Sequence, residues 1–182
     1  MNKHPVPSMA ATTAHPFRGD ASVLAREPLE WRRRGWSRRE WDLLANGQRV
    51  GGLVLRRSFR EHAQLDGPSG TWAIRRHFWS GAIEVFFKDR PALRYESRPF
   101  TRDVVECAEG SRFEWGRPAW WKSDWDMSTE SGFAVASFRI RLAFRASGYT
   151  IEVSPMGRRL PELEPLILLG GYLLTRAHSH AH

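Results

Sequence analysis

Residues Pro161 to Arg176 (PELEPLILLGGYLLTR) form a helix candidate that is apolar on every side. Leu163, Leu166, Ile167, Leu168, Leu169, Tyr172, Leu173 and Leu174 cover the whole cylinder, so no face of it can rest in water. Its longest uncharged stretch, Pro165 to Thr175, falls far short of the roughly 20 residues that a bilayer requires. Such a helix has to be enclosed by protein. Pro161 suits a first turn, and Glu162 and Glu164 suit the positive end of the helix dipole. Gly170 and Gly171 each cost about 1 kcal/mol in a helix, which points to wall residues pressed too close for side chains.

The chain before that helix reads as strands. Phe138, Ile140, Leu142 and Phe144 alternate with Arg139, Arg141, Ala143 and Arg145 across Phe133 to Arg145, a period of two that a helix would scramble. Tyr149, Ile151 and Val153 alternate with Thr150 and Glu152. One wet face and one buried face mark an antiparallel sheet. Glu40 to Ala45, Asn46-Gly47 and Gln48 to Leu55 form a hairpin signal, since Asn-Gly supplies the positive φ of a tight turn. Further strands are expected at Glu61 to Leu65, Thr71 to Phe78, Ala82 to Lys88, Leu93 to Ser97, Asp103 to Cys107, Arg112 to Trp115 and within Trp120 to Met127. Gly51-Gly52 inside a strand indicates a bulge or a close approach. About a dozen strands must curl, split or close to hide their edges. A sandwich has no room for the apolar helix, whereas a barrel does. The expected fold is mainly β: an antiparallel closed barrel of about 12 strands around a buried hydrophobic C-terminal helix at 161–176.

Domain organisation follows. Residues 1–23 (MNKHPVPSMAATTAHPFRGDASV) have no periodicity and read as a disordered tail, 24–176 as one barrel domain, and 177–182 as a His-containing tail. At 182 residues and 41% hydrophobic, the chain can bury one real core. Residues 1–30 lack the apolar run of a secretory signal, which leaves a cytoplasmic protein as the expectation, with peripheral membrane attachment open.

The order of elements resembles a known group. A basic–aromatic opening (Leu29-Glu30-Trp31, Trp36, Arg38-Arg39-Glu40-Trp41) leads into the Gly47-Gln48-Arg49-Val50 hairpin. A Trp-x-Ile-x-Arg strand (Trp72, Ile74, Arg76) runs into Phe78-Trp79, and Trp120, Trp121 and Trp125 occupy a late strand. Leu160-Pro161-Glu162-Leu163 and a helix ending in Gly171-Tyr172-Leu173-Leu174 close the pattern. It is similar to the tubby C-terminal-like superfamily, which includes LURP-one-related proteins and phospholipid scramblases. The resemblance, over about residues 24–176, implies a 12-stranded barrel threaded by a hydrophobic C-terminal helix. Tubby proteins bind phosphoinositides through basic residues, but none of those residues aligns onto a particular position here. Scramblases are linked to calcium, and no Asp-x-Asp-x-Asp-Gly loop is present.

Candidate chemistry is concentrated in the cations. The net charge is +8, and 25 of the 28 basic residues are Arg. Arg32, Arg33 and Arg34 with Trp36, then Arg38 and Arg39 with Trp41, interleave guanidinium groups with indoles. Arg56, Arg57 and Arg60 form a second cluster, and Arg75 and Arg76 a third. Arg32, Arg33, Arg34, Trp36, Arg38 and Arg39 are the candidate ligand-binding residues. Arg can hold lipid phosphate bidentately while Trp sits at headgroup level. The same set suits nucleic acid, where bases stack on aromatics. The plain alternative is that the Arg residues are wet faces of strands and the Trp residues are core.

Catalytic and metal signals are absent. The single Cys107 excludes a disulfide framework within the chain and any multi-cysteine metal site. His178, His180 and His182 lack a fixed scaffold for a metal, and Gly67-Pro68-Ser69-Gly70 lies between strands, unlike a nucleophile elbow. The expectation is therefore a non-catalytic binding or scaffold module with no cofactor and no metal. Its expected partner is anionic membrane phospholipid, and a nucleic-acid-binding β-domain on the same Arg/Trp surface is the alternative. A barrel holding an apolar ligand is weaker, because the helix fills its interior.

Overall fold

The computed structural model describes residues 23–24, 28–35, 39–56, 62–119, 122–143 and 146–179. Twelve strands form a closed antiparallel barrel: β1 (Leu29–Arg33), β2 (Glu40–Ala45), β3 (Gln48–Leu55), β4 (Ala63–Gly67), β5 (Gly70–Arg76), β6 (Ile83–Phe87), β7 (Arg90–Glu96), β8 (Asp103–Cys107), β9 (Arg112–Gly116), β10 (Trp125–Thr129), β11 (Ala134–Ala143) and β12 (Ala146–Val153). Each strand pairs with its neighbours in sequence, and β12 returns to β1 through Leu29↔Ile151 and Trp31↔Tyr149. That closure leaves no edge open to another chain.

The alternation read from the sequence sets which side chains point in. Leu29 and Trp31, Leu65, Trp72 and Ile74, Ile83 and Val85, Phe113 and Trp115, and Phe138 are all buried on the inner face. The Asn46-Gly47 turn takes φ of 50° and 75°, the two positive angles of a tight hairpin. Gly51 and Gly52 face a register shift at Leu43/Leu44, and a β-carbon on Gly51 would run into the Asp66 carbonyl. Both readings of that pair, bulge and close approach, hold together.

Helix α1 (Leu163–Ser179) lies inside the barrel. Every residue from Leu163 to Thr175 is buried. Each fully buried Leu or Ile contributes about 1.5–3 kcal/mol, which outweighs the about 1 kcal/mol cost of each glycine. Those glycines mark the tightest contacts. A β-carbon on Gly170 would lie 2.5 Å from the Phe138 ring, and one on Gly171 would fall inside the Trp31 indole. The Trp31 Nε1 donates to the Ile167 carbonyl at 3.4 Å, and the Tyr149 hydroxyl donates to the Leu174 carbonyl at 3.2 Å.

Helix boundaries differ from expectation at both ends. Pro161 and Glu162 form a turn before the helix, where the Glu162 carbonyl accepts from the Leu166 amide at 3.1 Å and its carboxylate accepts from the Ser111 hydroxyl at 3.0 Å. At the other end the helix continues through Ala177, His178 and Ser179, residues expected in the tail. His180 and His182 lie outside the described residues, as do residues 1–22, Phe144 and Arg145.

Candidate functional site

Strand order fixes which loops share an end. In a barrel whose strands run up and down in sequence, the β4–β5 and β8–β9 turns lie at one end. The β1–β2, β3–β4, β5–β6, β7–β8 and β9–β10 connections lie at the other. The helix enters at the first end. Glu164 accepts from the Ser69 amide at 3.0 Å, the Ser69 hydroxyl at 2.5 Å and the Trp72 Nε1 at 3.1 Å, all on the β4–β5 hairpin. Its C-terminal turn therefore leaves through the second end, called the mouth below.

Of the Arg clusters read from sequence, Arg33, Arg34, Arg39, Arg56 and Arg76 lie at the strand ends and connections of this mouth, whereas Arg32 and Arg75 lie on the wall. Arg32 is exposed on the wall and pairs with Glu30 at 2.8 Å. Arg34 pairs with Asp42 at 3.0 Å. Arg33 is half-buried and continues the inward row of Leu29 and Trp31. Arg39 is exposed, whereas Trp36 and Arg38 lie outside the described residues, as do Arg57 and Arg60. Arg56 donates to the Gln64 amide oxygen, and Arg75 pairs with Asp89 at 3.1 Å while its guanidinium sits 4.2 Å from the Phe86 ring centre.

Along the barrel wall the plain reading holds. Arg139 reaches Glu152 at 2.9 Å, Arg141 reaches Glu30 at 2.8 Å, Arg94 reaches Glu96 at 2.6 Å and Arg112 reaches Glu106 at 2.9 Å. Exposed pairs of this kind contribute about 0–1 kcal/mol and mainly cancel charge. At the mouth the balance changes. The side-chain cations of Arg33, Arg76, Arg98, Arg117, Lys122 and Arg176 have no carboxylate partner among the described residues. Arg90 and Arg159 are likewise without one, at the opposite end.

Exposed aromatics share the mouth. Phe78 and Trp79 in the β5–β6 loop are 85% and 95% exposed, and Phe100 in the β7–β8 loop is fully exposed. Phe78 and Trp79 meet edge to face, with ring centres 5.3 Å apart and planes at 86°. The expected strand Thr71 to Phe78 ends instead at Arg76, so Phe78 falls in a turn rather than on the wall. The Phe100 signal was a bulky aromatic beside Pro99 in a turn, where φ of 68° already marks strain. Four other tryptophans, Trp31, Trp41, Trp72 and Trp115, are core, as the plain reading expects.

Titratable groups near the helix ends are shaped by burial. The Cys107 thiol is pushed up to about 12 by burial, then by Glu162 and Glu109. Burial raises the phenols of Tyr95, Tyr149 and Tyr172; Tyr95 also donates to Asp103 at 2.6 Å. His62 is lowered by burial first, then by Arg76 and Arg176. Among the described residues, no three of His, Cys, Asp and Glu come together as a metal site. A groove of about 270 Å³ beside Ala134, Ser137, Glu152 and Ser154 lies at the end opposite the mouth. No described helix is long and apolar enough to cross a membrane. No family model, curated protein or solved structure matches the chain.

Proposed function

We propose that the protein is a non-catalytic binding module that docks its mouth on anionic phospholipid at a membrane surface. The observation that carries this reading is the exposure of Phe78, Trp79 and Phe100 on two loops at the same end as cations that have no carboxylate partner among the described residues. Exposed bulky aromatics are costly in water and sit well at the headgroup level. Each Lys or Arg near an anionic leaflet adds about 1 kcal/mol. The closed barrel with its C-terminal helix is the architecture that the tubby-like resemblance implies, but fold alone assigns no ligand.

Nucleic acid is disfavoured by two details. Bases stack on open ring faces in succession, while Phe78 and Trp79 present an edge-to-face pair. The wall arginines that would track a phosphate backbone already face carboxylates.

The test is co-sedimentation with phosphatidylcholine vesicles, with and without phosphatidylserine, at low and physiological salt. The expected result is binding to the anionic vesicles that DNA does not displace. It should be lost in the triple variant Phe78→Ser/Trp79→Ser/Phe100→Ser, whose positions are exposed and leave the core untouched. Displacement by DNA would replace this reading with the nucleic-acid one.

A further inference from the structure

We propose that the sector of the mouth between β4, β5 and the last turn of α1 is a binding site for a phosphate-class oxyanion, held by Arg76 and Arg176 beside His62. This goes beyond surface docking, which needs only exposed aromatics and diffuse charge.

The argument starts from the inward row of β5. Trp72 and Ile74 are buried core residues, and Arg76 is the next side chain on that row, half-buried at the lip. Its Nε is buried and has no hydrogen-bond partner among the described residues. Leaving such a donor unmade costs about 1–3 kcal/mol, and more for a charged group. Arg176 stands half-buried on the emerging helix and also has no carboxylate partner there. His62 is held beside the same strand by its amide, which donates to the Ile74 carbonyl at 2.8 Å. Arg76 ends β5 and Arg176 lies on the turn of α1 that leaves by the mouth, so wall and helix cations share this end of the barrel, and both oppose protonation of His62.

Among the described residues, neighbouring charges do not neutralise the pair. The helix C-terminus carries about half a negative charge, less than one guanidinium. Asp103, which opens β8 at the same end, is occupied by the Tyr95 hydroxyl, the Ser97 hydroxyl at 3.0 Å and the Arg98 amide at 2.8 Å. Glu84 belongs to the outward row of β6 and pairs with His77 at 2.9 Å. A tetrahedral oxyanion answers what is left, because guanidinium forks match phosphate oxygens in pairs. The phosphate can come from a soluble ester or from a lipid headgroup.

The test uses the full chain and inorganic phosphate. The His62 ring protons are followed by NMR through a pH titration in chloride and again in phosphate, with calorimetry alongside. Phosphate should raise the His62 midpoint and give saturable heat. Arg76→Gln and Arg176→Gln should each weaken phosphate about tenfold, and Arg139→Gln on the wall should leave it unchanged. Either mouth variant suffices if the other does not fold. A His62 midpoint identical in the two salts, with no saturable heat, overturns the proposal. A soluble short-chain phosphatidic acid then separates the sources, since only a lipid site prefers it to inorganic phosphate. The triple aromatic variant should keep phosphate binding while losing vesicles, so failure of the membrane reading and failure of this site are told apart.

Discussion

The indole of Trp31 lies flush against Gly171, with no room between them for a β-carbon. One residue belongs to the first strand of the barrel and the other to the helix at its centre. Gly171→Ala gains about 1 kcal/mol of helix propensity, but the new methyl would enter the ring of a wholly buried Trp31. Overpacking of that kind costs about 1–3 kcal/mol. Net destabilisation of up to about 2 kcal/mol is therefore expected in denaturant unfolding. Adding Trp31→Phe should make Gly171→Ala less costly than it is alone. Simple additivity in that double-mutant cycle would mean that the contact does not govern the fit.

Glu164 gives a second prediction, because its two oxygens do different work. Oε1 accepts from the Ser69 amide and the Trp72 Nε1, while Oε2 accepts from the Ser69 hydroxyl. Glu164→Gln can keep all three contacts, since a hydroxyl can turn and accept from the new amide. It loses only the charge near the helix N-terminus, about 0.3–1 kcal/mol. Glu164→Ala strands the buried Trp72 Nε1 donor at about 1–3 kcal/mol and leaves the part-buried Ser69 amide to water. Thermal unfolding should show a small shift for Gln and a large one for Ala.

These two sites show why much of the fold could be read in advance. Apolar coverage on all sides of 163–174 demanded an enclosure, and paired glycines in an otherwise strong helix demanded a close wall. Both demands are local, so the sequence carries them. The pairing of Arg32 with Glu30 and of Arg34 with Asp42 is nearly local too, yet a cluster of like charges hides it. The mouth is different in kind. Arg33, Arg76, Phe100 and Arg176 share one end only because strands alternate in direction around a closed ring, and that requires every strand to be counted correctly. Extending β5 to Phe78 was enough to put that side chain on the wall instead of at the rim.

His62 makes stability at the mouth depend on pH. Its ring is held below the ordinary histidine value of 6.5, first by burial and then by Arg76 and Arg176. The unfolded chain therefore takes up this proton at higher pH than the folded one. Stability from this source is intact above 6.5 and falls as pH drops from there through the folded midpoint. Melting temperature should decline over that window in wild type and decline less in His62→Gln. Arg76→Gln should move the His62 midpoint back up, as NMR titration would show.

Cys107 offers a reporter on whether the helix is seated. The side chain belongs to the inward row of β8, is 7% exposed, and has its thiol pushed up to about 12 by burial, with Glu162 and Glu109 adding to the effect. Only the thiolate reacts, and an ordinary thiol titrates near 8.5, so at about pH 8 the native protein should be alkylated about a thousandfold more slowly than the unfolded chain. Glu162→Gln removes one of the smaller contributions and should speed native labelling modestly. Deleting residues 161–182 should do far more. Without the helix, Trp31, Phe138 and Trp72 would line an empty interior, which about 1.5–3 kcal/mol per lost Leu or Ile cannot sustain. The expected product aggregates and labels at the unfolded rate. A truncated chain that stays monomeric, with Cys107 still protected, would show that the barrel stands without its core helix.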